Sequence, residues 1–171
     1  NLVSKTWQPV SSKPKYGMLP LVVGSLKVTA VAVLFSAPIA ILAALFTAAF
    51  APRWAKELLK PAIEVLAGIP SVVIGFFALI AMATFLQKTF GFEYRLNAFV
   101  GGIALSLAVI PIIYTITEDS LSRVPKVMTE ASLALGASKW QTASFVVLPA
   151  ASPGIFAGIL LGIGRAFGET M

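Results

Sequence analysis

The chain contains no cysteine and no histidine, and charged residues fill only 12% of its 171 positions. Without thiols or imidazoles, a disulfide scaffold, a zinc site of the usual kind and His-based catalysis are excluded. No carboxylate pair offers a catalytic constellation either, so a membrane-embedded enzyme is the least supported class. The phosphate-loop pattern G-x-x-x-x-G-K-[ST] is also missing, so the chain is not expected to hydrolyse ATP itself.

What fills the sequence instead is apolar. Hydrophobic residues make up 58% of it, collected in long charge-free runs. A soluble domain has about 45–50% apolar and about 25% charged residues, so an integral membrane protein with lipid around it is expected. The net charge of +6 sits mostly in the connections, where membrane topology uses basic residues, so no nucleic-acid partner is implied. The chain lacks an initiator methionine and stops inside an apolar helix. It is therefore expected to be a fragment of a longer membrane protein, truncated at both ends.

Residues 1–19 carry Trp7, Pro9 and Lys5, Lys13 and Lys15, the pattern of a solvated segment. Residues 28–50 then hold no charge over 23 positions. As a helix this run is roughly 34 Å long, against a bilayer core of about 30 Å. Residues 65–86 and 96–117 give two further uncharged spans, and Ser152 with Pro153 suits the start of a fourth helix. With Pro61 opening the second helix, the expected helices cover about 20–50, 61–86, 96–117 and 153–171. Pro38, Pro70 and Pro111 should each kink one complete span. Gly154, Gly158 and Gly162 form a double GxxxG face suited to close helix contact. Three spans place 51–60 and the insert 118–152 on one side, with 1–19 and 87–95 on the other. Six Lys and Arg against five lean toward a cytoplasmic insert and an extracytoplasmic first segment.

The insert is less polar than a plain connection. A short helix ends at Gly136, the favoured residue for a left-handed stop. Ser138 and Gln141 have capping-box spacing, so a second short helix begins there, carries Trp140, Phe145 and Val146, and ends at Leu148 and Pro149. Two short helices with exposed Ala, Leu and Trp make a knob suited to docking. Beyond it, Arg165 lies roughly 18 Å past Pro153, near the bilayer midplane, with Glu169 one turn further on the same face. Ionisable groups at that depth cost about 2.5–3.5 kcal/mol each, which favours a pathway role. The competing reading is a self-satisfied salt bridge that fixes helix orientation.

Glu130, Ala131 and Ser132, then Gly136, then Val146, Leu148 and Pro149 resemble the EAA loop of ABC-transporter permeases. Ser132 replaces the usual second alanine, and Val146 the usual isoleucine. Residues 66–77 (LAGIPSVVIGFF) and 164–171 (GRAFGETM) look like the phosphate-specific ABC permeases. Trp7 and Pro9, Tyr16 and Gly17, and the Gly-Glu-Thr-Met ending are closer to their PstC-type subunit than to the PstA-type sister. The resemblance implies an all-α, MetI-like transmembrane bundle in the cytoplasmic (inner) membrane of a prokaryote, paired with a second homologous permease subunit. Glu130, Ala131, Gly136, Trp140, Leu148 and Pro149 would then dock on cytoplasmic ATP-binding subunits, which hold the ATP, so no cofactor belongs to this chain. An extracytoplasmic phosphate-binding protein would select the solute. Arg165 would offer a planar donor fork to an oxyanion. Glu169 would hold that fork or accept a hydrogen bond from protonated phosphate, a proton that sulfate lacks at neutral pH. The alternatives are a permease for sulfate or molybdate, an ion-coupled secondary transporter using the pair as a proton relay, or a structural protein whose insert recruits a partner.

Overall fold

Long apolar runs become helices because, without water, only internal hydrogen bonds satisfy the backbone. The computed structural model describes residues 6–8, 10 and 15–170. In chain order the helices are α1 (Leu19–Phe50), α2 (Arg53–Ala67), α3 (Ser71–Phe90), α4 (Ala98–Ser122), α5 (Lys126–Ala134), α6 (Lys139–Ala150) and α7 (Ser152–Thr170). The last turn of α1 (Phe46–Phe50) and segments of α3 and α6 widen into π-helix. A two-residue antiparallel pairing of β1 (Trp7–Gln8) with β2 (Lys15–Tyr16) precedes them. Lys5, Pro9, Lys13 and Met171 lie outside the described residues.

Among the described residues three helices, α1, α3 and α4, are long and apolar enough to cross a membrane. The expected fourth span is different. Helix α7 meets that test only together with α6, and the two are bent by 68° where they join.

The bundle is centred on α4, and small residues set its spacing. Ala32, Ser36, Ala40 and Ala44 recur at every fourth position of α1 and are fully buried. On the α4 side, a Cβ at Gly102 would collide with the Val31 side chain, so only glycine allows this approach. The GxxxG face of α7 packs on α4 in the opposite chain direction. A Cβ at Gly154 would run into Ser120, and one at Gly162 would lie 2.7 Å from Ile113 Cδ1. Close backbone approach matters here because lipid tails are as apolar as leucine, leaving packing as the attraction between helices. Val109 and Ile113, both fully buried, fill the centre. Larger apolar side chains such as Leu34, Leu42 and Phe76 point outward, as they would toward lipid or a neighbouring subunit.

Two of the three expected kink prolines, Pro38 and Pro111, do lie inside helices. Pro70 does not. It stands in extended backbone (φ −58°, ψ 136°) at the start of α3, so it separates α2 from α3 rather than bending one span. The reason is local, since Gly68 ends α2 and the residue before a proline is driven out of the helical region. Conversely Pro61, expected to open a helix, lies inside α2, which starts after Pro52. The inward stripe of α2 runs Ala55, Leu59, Ile63, Leu66 and passes Pro61 on the exposed face, where a missing N–H does least harm. Helix α4 is capped by Asn97, whose Oδ1 accepts from the Val100 N–H at 2.9 Å. It runs past the charge-free stretch to Ser122 and so takes Glu118 out of the insert and into the bundle.

Candidate coupling and translocation sites

The insert folds as its local chemistry requires. Helix α5 ends in a Schellman motif, with the Gly136 N–H donating to the Leu133 carbonyl at 3.0 Å and the Ala137 N–H to the Ser132 carbonyl at 3.2 Å. Gly136 has φ +85° and open space where a Cβ would stand, so backbone conformation rather than crowding asks for glycine. The capping box at the start of α6 is complete. Ser138 Oγ accepts from the Gln141 N–H at 3.2 Å, and Gln141 Oε1 accepts from the Ser138 N–H at 2.8 Å. A hydroxyl contact of 3.0 Å between Ser132 and Thr142 ties the two helices together.

This knob presents an apolar outer surface. Leu135 is 90% exposed, Phe145 77% and Val127 73%. Glu130, Ala131, Gly136 and Trp140 are exposed beside them. Trp140 also reaches the last turn of α1, its ring 5.9 Å from that of Phe50. Leu148 does not join the exposed face, whereas Pro149 is exposed. Leu148 packs half-buried against the core, and Pro149 borders an apolar crevice with Ile41 and Phe156. Neither residue ends α6, which continues to Ala150 and turns at buried Ala151. That elbow is hydrogen-bonded on both sides. The Ala151 N–H donates to the Val147 carbonyl at 3.0 Å, and the Ala151 carbonyl accepts from the Gly154 and Ile155 N–H groups at 3.0 and 3.1 Å.

At this end of the bundle lies a charge pair that the sequence reading missed. Lys60 Nζ on α2 sits 2.8 Å from Glu118 Oε2 on α4, whose side chain is only 4% exposed. Ser122 Oγ donates to the other carboxylate oxygen at 2.9 Å. The hydrogen bond to Glu118 raises the Lys60 pKa above its ordinary 10.5, partly opposed by desolvation. One signal was available in the sequence. Glu118 follows Tyr114 by four residues, so a helix extended by one turn carries it onto the same inward face. Tyr114 itself donates to Thr47 Oγ1 at 3.0 Å, and Thr47 donates to the Ala43 carbonyl at 2.9 Å.

At the opposite end, α1, α3, α4 and α7 border an open cavity of about 400 Å³. Val28, Ser71, Gly75, Ala104, Ala108 and Glu169 are among its walls. Two stretches far apart in the chain, 66–77 and 164–171, thus meet at one cavity. Glu169 lines it and Arg165 does not. The pair is joined through Arg165 Nε and Glu169 Oε2 at 3.5 Å, one turn apart on α7, with side chains 45% and 27% exposed. At 3.5 Å through Nε this is a loose contact. Pro38 and Pro111 are not among the cavity walls.

Residues 36–171 match the family described as binding-protein-dependent transport system inner membrane component. The chain belongs to that family. The match spans the bundle, the insert and α7 alike, and with it the all-α, MetI-like membrane architecture holds. Over 99% of its length the chain is 44% identical to a probable ABC transporter permease protein, YqgH, of Bacillus subtilis, covering 55% of that protein. It is 32% identical over 99% of its length to the phosphate transport system permease protein PstC of Mesorhizobium japonicum, covering 57%. Against PstC 1 of Mycobacterium tuberculosis it is 35% identical over 91%, covering 52%. The chain therefore spans about half the length of these relatives.

Proposed function

We propose that this chain forms part of the permease subunit of an ATP-binding-cassette importer for inorganic phosphate. The observation that carries the reading is the insert: a hydrogen-bonded two-helix knob whose outer surface is apolar, joined to the bundle by a hydrogen-bonded elbow. An apolar knob of this kind is what a cleft on a separate ATPase would receive, and a secondary transporter has no use for one. Phosphate is favoured over sulfate or molybdate by the phosphate transport relatives and by Glu169 in the cavity wall. There a carboxylate accepts a hydrogen bond from a P–OH group, while a fully deprotonated oxyanion is repelled. Arg165 acts in this reading as a positioning residue, holding the Glu169 carboxylate. The second permease subunit, the ATP-binding subunits, the extracytoplasmic binding protein and the inner-membrane location belong to the same proposal.

The test is ATP-dependent uptake by the complete complex, with phosphate and sulfate in competition. Inhibition of labelled phosphate uptake by cold phosphate but not by sulfate is expected, and equal inhibition by both would overturn the solute assignment. Leu135→Asp should release the ATPase on co-purification while the permease subunits stay together. An ATPase that remains bound would remove the docking role.

A further inference from the structure

A second cavity, of about 390 Å³, opens on the insert side of the bundle, between the ends of α1 and α4 and the two insert helices. Lys56, Lys126 and Lys139 all line it, Thr129 adds a hydroxyl, and no carboxylate is among its walls. Lys56 donates to the Ala48 carbonyl at 3.1 Å. Lys126 and Lys139 have no ion-pair partner among the described residues. The nearby Glu118 is already held by Lys60 and Ser122. Three lysines around one part-enclosed space give it a positive charge that no lining carboxylate offsets, and a counter-anion entering it lowers that cost.

We propose that this cavity binds a phosphate-bearing anion. Basic pockets between helices suit such groups, because the lysines supply charge and the Thr129 hydroxyl can supply a directed hydrogen bond. The apolar remainder of the wall, including Leu121, Leu133 and Val147, accommodates the glycerol end of a phospholipid as readily as it borders free phosphate. Either ligand would touch α5 through Lys126 and Thr129, α6 through Lys139, and the bundle through Lys56. It would therefore clamp the insert against the helices it serves. The inference stands on this cavity alone and holds whichever solute is transported.

The test is amine-acylation footprinting of the complete permease complex in lipid nanodiscs, read by mass spectrometry. One arm uses phosphatidylcholine discs without phosphate, the second adds millimolar inorganic phosphate, and the third adds phosphatidylglycerol to the discs instead. A chloride control matches ionic strength. Labelling of Lys126 and Lys139 should fall by about fivefold or more with one anion source, while Lys88 on α3 is unchanged. Protection in the second arm identifies free phosphate, and protection in the third identifies the lipid headgroup. Unchanged labelling in both arms, or equal protection by chloride, overturns the proposal. Because the wild-type complex is read directly, the result does not depend on a variant folding.

Discussion

The two ends of the bundle handle charge in opposite ways. At the insert end, Lys60 and Glu118 join α2 to α4 at 2.8 Å, with the carboxylate almost fully buried and its second oxygen occupied by Ser122. At the far end, Arg165 and Glu169 meet at 3.5 Å within one helix and are part-exposed. The first pair ties separate elements, with both carboxylate oxygens engaged. The second holds no tertiary contact together, and its carboxylate borders a cavity. The two pairs thus differ in what their removal would disturb: a link between helices in the first case, a cavity wall in the second. One end is therefore fastened, and under the proposed function the other is the one that meets the solute.

Breaking the far pair should have the larger effect on transport and almost none on folding. Glu169→Ala is expected to lower phosphate uptake by about 100-fold or more, equivalent to about 2.7 kcal/mol, with assembly and thermal midpoint unchanged. Arg165→Ala should approach it, and Arg165→Lys should recover part of the activity, as a positioning role requires. Substrate-dependent uptake and a melting curve on the same preparation separate the two readouts. Normal uptake by an assembled Glu169→Ala complex would end the comparison.

At the insert end the order reverses. Lys60→Met leaves Glu118 buried with only Ser122, and should destabilise the permease subunit by about 2 kcal/mol. That is less than the roughly 3–5 kcal/mol of a fully buried pair, because Lys60 is half exposed. Lys60→Met combined with Glu118→Leu should restore most of the loss, since replacing both partners leaves no stranded charge. A double-mutant cycle on the melting midpoint tests this, and additive losses would show that the pair is not a unit.

Much of this contrast was hidden in the sequence for identifiable reasons. Charge-free runs announce α1, α3 and α4, and short-range chemistry announces the Gly136 stop, the Ser138 capping box and the GxxxG face of α7, because each depends on residues within a turn or two. The Lys60–Glu118 pair depends on how two distant helices dock, which no local pattern encodes. Reading Glu118 as the edge of a loop followed from treating charge as the end of a span. Pro61 and Pro70 exchanged roles for a related reason. Proline limits the backbone, but whether a helix passes through it is decided by which side faces the bundle. The cavity at Glu169 was foreshadowed only in part, because the two stretches could be named from sequence while their meeting is tertiary.

Gly136 sharpens the comparison from the insert side. Its φ of +85° is unfavourable for any residue with a Cβ, so Gly136→Ala should cost about 1–2 kcal/mol locally. With nothing to collide with, the knob should loosen rather than unfold. ATP hydrolysis would then uncouple from uptake several-fold while the Lys60–Glu118 pair and the melting midpoint stay near wild type. Gly136→Asn, which tolerates the left-handed region, should lie between the two. Equal coupling in all three proteins would mean that the stop of α5 is not part of the docking geometry.

The smallest expected effect is on pH dependence, and its sign follows from Lys60. Its folded-state pKa is raised above 10.5 by the hydrogen bond to Glu118. The stabilisation it supplies is therefore fully present below that value and fades only as pH rises through the folded pKa. Wild type and Lys60→Met should differ by a constant margin from neutral pH to about 10, and converge above it. Exposure of the lysine head keeps the change modest. A margin that instead shrank between pH 7 and 9 would mean that Lys60 is not held by Glu118, and the insert end would then be as loosely charged as the far one.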